Sequence, residues 1–123
     1  MTQAVLRSPK FYNALAKVLE KGCLSIGWDY AEAYVPNGDA TKIECCPVWY
    51  GRPEIREKLA KFHSLSQKEE WTPGKSLQGW VWISKQPQWE EDLTALPQTA
   101  YQFAKQAEII GLKSALGIPI LTN

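Results

Sequence analysis

The sequence predicts an α+β domain, with helices packed on an antiparallel sheet, in the order α-β-β-α-α-β-α-β. Three observations predict it. An amphipathic helical stripe opens the chain, a strand–turn–strand pattern follows it, and the remainder mixes helical and strand signals. In the opening segment PKFYNALAKVLEKG, Phe11, Leu15, Val18 and Leu19 recur at i, i+4, i+7 and i+8, a single apolar stripe. Ser8 is placed to N-cap this helix, Pro9 suits its first position and Gly22 is the expected stop. Residues 1–22 are therefore assigned to a packing or signalling helix and residues 23–123 to the domain proper.

From Leu24 the pattern changes to period two. Leu24, Ile26, Trp28, Tyr30, Glu32 and Tyr34 alternate with mostly small residues, among them Ala31 and Ala33, on a face narrow enough to admit a helix. Pro36–Asp39 (PNGD) is a turn, because Asn and Gly tolerate positive φ. The return strand TKIECCPVWY carries Pro47, which marks an edge or a bulge. A helix from Pro53 to about Leu65 has the stripe Ile55, Leu59 and Phe62, and SLSQKEE reads as a solvated loop. Ser76 starts a short helix running to about Ser84, QPQWEED a short strand, and Leu96–Ile110 a helix with Ala100, Phe103, Ala104 and Ala107 on one face, ended by Gly111. SALGIPIL closes the order as a buried strand.

The bulk properties narrow the function. With 123 residues, 45% hydrophobic and 22% charged, the chain suits one domain with one core. A net charge of +1 offers no footprint for nucleic acid. The apolar runs are far short of the ~20 residues that span a bilayer, and the N-terminus lacks the roughly 7–15-residue apolar segment of a signal peptide. A cytoplasmic protein without membrane or nucleic-acid partners is expected. The three cysteines, Cys23, Cys45 and Cys46, have no CxxC spacing and read as buried free thiols. With one histidine they do not supply the four ligands of a structural zinc site.

Catalytic groupings are equally sparse. Glu90, Glu91 and Asp92 are consecutive, so on a strand they alternate faces and read as a solvated strand end rather than paired carboxylates. His63 reads as an exposed helix residue, with no nucleophile motif nearby. Gly74 and Gly79 lack the spacing and lysine of a phosphate loop.

Three strings then carry a resemblance. GWDYAEAYVPN with its return strand resembles the opening hairpin of GAF domains. WTPGKSLQGWVW resembles their middle signature, and GLKSALGIPIL their late strand. The resemblance implies a non-catalytic sensory or regulatory domain of a signal-transduction protein, such as a histidine kinase of a bacterial, often cyanobacterial, two-component system. It implies a small-molecule pocket between one sheet face and the helices, and association as a homodimer or with a signalling partner domain; a ligand-free dimerisation module is the alternative. On that basis Trp28, Tyr30, Glu32 and Tyr34 on the first strand are the candidate ligand-binding residues, with Glu32 accepting from an amine or a ribose-like hydroxyl. Tyr101 and Phe103, on the helix that commonly caps the pocket, join them.

The chain also departs from the family pattern. Covalent bilin attachment needs a Cys-His pair near Gln102 and Phe103, and neither is Cys, so a bilin cofactor is disfavoured. Methionine sulfoxide reductase activity needs cysteines in the middle and late blocks, and all three precede them. The family continues past the late strand into a further strand lying between the first and late strands. The sequence reaches Asn123 without it, so a C-terminally truncated version is expected, its open edges covered by association. Trp71, Trp80, Trp82 and Trp89 crowd one stretch of a chain with six tryptophans. Trp71 and Trp82 read as scaffold and Trp89 opens a strand, while Trp80 stands where the family often has Arg and is the tryptophan assigned to ligand or partner contact.

Overall fold

The computed structural model describes residues 8–74, 76–97 and 101–120. The element order is the one predicted, with two single 3-10 turns added. Helix α1 (Pro9–Ile26) starts as expected, with the Ser8 side chain accepting from Phe11 N–H at 3.1 Å. It does not stop at Gly22. It runs on through Cys23–Ile26, residues assigned to the first strand, and ends at Gly27, whose φ of 72° forms a left-handed cap. Glycine inside a helix costs only about 1 kcal/mol, and the extra turn buries Cys23 on the same face as Leu15. Alternation in CLSIGW was thus overridden by packing.

Strands β1 (Tyr30–Pro36) and β2 (Ile43–Gly51) form the hairpin. Its loop is closed by Asn37, whose Oδ1 accepts from the backbone N–H groups of Thr41 and Lys42. The register runs Tyr30↔Gly51 to Glu32↔Trp49 and resumes at Tyr34↔Cys45. One residue of β1, Ala33, therefore opposes three of β2, Cys46 to Val48, and the bulge falls around Pro47, which cannot donate to the ladder. The small face of β1 receives α1: Leu15, Val35 and Cys46 form a buried cluster with Phe11, Leu19 and Ala33 around it.

A 3-10 turn (Pro53–Ile55) leads into α2 (Arg56–Lys68), which absorbs the start of the segment read as a loop. Its buried residues are Leu59, Phe62, His63 and Ser66, at i, i+3, i+4 and i+7. Expected on the surface, His63 is 3% exposed. Trp71 anchors the following loop: it exchanges backbone hydrogen bonds with Ile43, and its ring Nε1–H donates to the Ser66 carbonyl.

Helix α3 (Ser76–Ser84) rests on the Thr72–Gly74 turn. A Cβ at Gly79 would stand 2.3 Å from the Thr72 carbonyl oxygen, so only glycine fits this approach. Strand β3 (Gln88–Glu90) pairs antiparallel with β4 (Ala115–Gly117). Asp92 caps the 3-10 turn Leu93–Ala95 through Thr94 N–H. Helix α4 spans Ala104–Ile110 and is shorter than predicted; Leu96, Pro97, Tyr101 and its N-cap Phe103 lie outside it, and Ala100 lies outside the described residues.

Among the described residues the strands form two separate two-stranded sheets, β1–β2 and β3–β4. One core joins them. Ile43, Phe62, Trp71, Leu93, Tyr101 and Phe103 are buried together with Ala104 and Ala107, and Tyr30, Tyr34 and Ala115 pack against them. The final strand is not the buried one expected. Leu116, Ile118 and Ile120 are exposed, because the β3–β4 pair turns Gly117 toward Val81 and Leu77 of α3 and its other face outward.

Candidate functional site

The large-residue face of β1 and the helices α2 and α3 meet at one carboxylate. Glu32 Oε1 accepts from Tyr30 Oη at 2.7 Å and from Ser66 Oγ at 3.1 Å. Glu32 Oε2 accepts from the Tyr34 hydroxyl and from Cys45 Sγ at 3.2 Å. Gln78 Nε2 donates to Tyr34 Oη at 2.8 Å, extending the cluster to α3. The Gln78 Oε1 atom is buried and accepts no hydrogen bond from the described residues.

The sequence places these groups for simple reasons. Tyr30, Glu32 and Tyr34 alternate onto one face of β1, and the bulge returns Cys45 to the position opposite Tyr34. Ser66 falls on the buried stripe of α2, and Gln78 on the turn of α3 above the hairpin. Four donors on one carboxylate in a partly buried site satisfy its lone pairs without a cationic partner.

The electrostatic consequences are uniform. Burial, reinforced by the Glu32 charge, pushes the Tyr30 and Tyr34 phenols far above their ordinary range. Burial and Glu32 do the same to the Cys45 thiol, which holds it as the inert thiol rather than the thiolate. His63 is lowered by burial, against opposing pulls from Glu32 and from the Cys46 carbonyl, to which Nε2–H donates at 3.0 Å. Its ring stacks on Trp49 at 5.2 Å, and the Arg56 guanidinium lies 4.4 Å from the Trp49 centroid.

Of the residues singled out from sequence, Tyr30, Glu32 and Tyr34 come together. Tyr101 and Phe103 do not reach the carboxylate; they are core. Phe103 stands edge-on to Phe62, Trp71 and Tyr101. Trp28 precedes β1 and pairs with Trp89 at 5.8 Å, lining a cleft of about 200 Å³ with Asp29, Gly111 and Lys113. Beside it Asp29 forms an ion pair with Arg52. Trp80 is 50% exposed on the outer face of α3, apart from the cluster. Sequence reasoning missed Cys45, His63, Ser66 and Gln78. The apolar stripe Ile55, Leu59 and Phe62 points to the face that also buries His63 and Ser66, at i+4 and i+7 from Leu59, but their polar chemistry reads as surface.

Among the described residues no three His, Cys, Asp or Glu side chains gather as metal ligands. No helix among them is long and apolar enough to cross a membrane. No family model matches the chain, and no curated protein matches it.

Proposed function

We propose that the chain is a GAF-like sensory or regulatory module of a signal-transduction protein, without chemistry of its own. It takes a small, donor-rich molecule at the Glu32 cluster, between the β1–β2 face and the helices. The observation that carries this reading is the cluster itself. A carboxylate is held between sheet and helices by side chains from β1, β2 and α2, and the neighbouring Gln78 Oε1 has no donor among the described residues. A buried acceptor without a partner costs about 1–3 kcal/mol, which an amine or hydroxyl of a ligand would recover. Ser66 and Gln78 reach the cluster from the helices, so a ligand donor that displaces either one alters how α2 or α3 sits on the hairpin. The three sequence blocks of GAF type, in order along the chain, support the same reading.

The test is to purify the chain, search for co-purified small molecules by native mass spectrometry, and screen nucleotides and tetrapyrroles by thermal shift. A ligand binding the folded state raises Tm by mass action, and Glu32→Gln should remove the shift. Silence across the panel, with no co-purified mass, would reject ligand sensing. The second reading, a homodimerisation module, is favoured by one observation. Trp89 and Leu116 are direct cross-strand partners on the outer face of β3–β4, 53% and 40% exposed. Light scattering decides it, since a strict monomer at high concentration counts against this reading.

A further inference from the structure

Helices α2 and α4 line a groove of about 360 Å³. Its walls are Phe62 and Leu65 from α2 and Ile109 and Ile110 from α4, with Lys58, Lys61 and Gln106 also on the lining. The periodicity explains the grouping: 58, 61, 62 and 65 share one helical face at i, i+3, i+4 and i+7. Phe62 is its deepest member, packed from behind against Tyr30 and Phe103. Ile109 is 77% exposed, the most exposed large hydrophobic residue among those described.

Two features separate this groove from an ordinary surface furrow. Its exposed lining is almost wholly apolar. Two exposed lysines border that apolar surface, and neither is in an ion pair among the described residues. Lys58 and Lys61 stand one helical turn apart on this lining, so a single anionic head can meet both ammonium groups. The size falls at the low end of the roughly 300–1,000 Å³ typical of small-molecule sites.

The geometry points to a binding site for a long-chain carboxylate, its alkyl chain along Phe62, Leu65, Ile109 and Ile110 and its head group between Lys58 and Lys61. The complementarity is double. The chain covers Ile109, and the carboxylate meets the ammonium groups of the two lysines. This site is separate from the Glu32 cluster and stands or falls independently of the sensory reading.

The experiment is calorimetric titration of the full chain with laurate below its micelle concentration, with butyrate and octyl glucoside as the short-chain and uncharged controls. The expected result is saturable binding of one laurate per chain, weak or absent for butyrate, with octyl glucoside inferior to laurate. Lys58→Gln/Lys61→Gln together should weaken laurate about tenfold, since each exposed pair contributes modestly, and added salt should reduce the difference between variant and parent. Ile109→Glu should abolish binding; Ile109 is exposed, so the fold holds, and circular dichroism checks it. Unchanged laurate affinity in both variants would place the amphiphile elsewhere and overturn the proposal. So would sedimentation with phosphatidylglycerol vesicles in the absence of laurate binding, which assigns the groove to a membrane surface. Conversion of a dimer to a monomer by Ile109→Glu would also overturn it, assigning the groove to a second copy.

Discussion

Replacing Gly79 by Ala tests the packing of the Trp71–Trp82 segment, because two physical effects act with opposite sign. At an ordinary helix position, Ala is favoured over Gly by about 1 kcal/mol. At Gly79 the new methyl carbon would stand 2.3 Å from the Thr72 carbonyl oxygen and 3.2 Å from the Gly74 nitrogen. A carbon needs roughly 3.3 Å from such an oxygen, so α3 must withdraw by about 1 Å. Both obstructing atoms are backbone and neither can rotate aside. Withdrawal strains the surroundings by about 1–3 kcal/mol. It also pulls the Gly79 carbonyl off the Gly74 N–H, now 3.0 Å away, a bond worth about 0.5–1.5 kcal/mol. After subtracting the propensity gain, the expected net destabilisation is about 1–3 kcal/mol, a fall in Tm on the order of 10 °C. Urea unfolding followed by tryptophan fluorescence measures it. A variant as stable as the parent, or more so, would refute the close approach of α3 to the Thr72–Gly74 turn.

Three further outcomes are expected. Tyr30, Tyr34 and Tyr101 have folded pKa values raised by burial and by the Glu32 charge; the folded state therefore holds these protons more tightly, and their contribution is complete below the unfolded value of about 10 and lost as pH rises beyond it. Their phenolate absorbance should appear together with alkaline unfolding, and ionisation ahead of unfolding, assigned with the Tyr34→Phe and Tyr101→Phe variants, would contradict the geometry. His63 runs the other way: burial lowers its folded pKa, the unfolded chain takes up the proton first, and stability should fall as pH drops through about 6.5, a slope that His63→Gln should remove. Ala40, exposed in the hairpin loop with φ of 58°, holds a left-handed conformation that disfavours a Cβ. Ala40→Gly should raise stability by about 0.5–1 kcal/mol in urea titration, and a loss would show that the loop does not hold that conformation.

Much of the local structure was legible because it depends on near neighbours. The Ser8 cap, the Gly111 stop and the bulge at Pro47 follow from backbone chemistry and are present; the chain also turns after Pro36 as expected, but the positive φ falls on Ala40 and not on Asn37 or Gly38. The polar site was half legible. Alternation put Tyr30, Glu32 and Tyr34 on one face, but Ser66 and Gln78 come from helices whose approach no local pattern encodes. Tyr101 and Phe103 are buried in the aromatic core, an environment that suits an aromatic side chain as well as a pocket wall does.

By itself, the sequence determined the order of elements, the hairpin with its bulge and the residue types on each face, since periodicity and turn chemistry are short-range properties. Tertiary structure alone decided which face each helix buries and where packing overrides a pattern. It carried α1 four residues past Gly22 to bury Cys23, drew His63 inside beneath Trp49, and left Leu116 and Ile118 outside. It also made glycine obligatory at position 79. Each of these outcomes depends on distances between segments remote in the chain, and those distances exist only once the hairpin, helices and aromatic core have packed together.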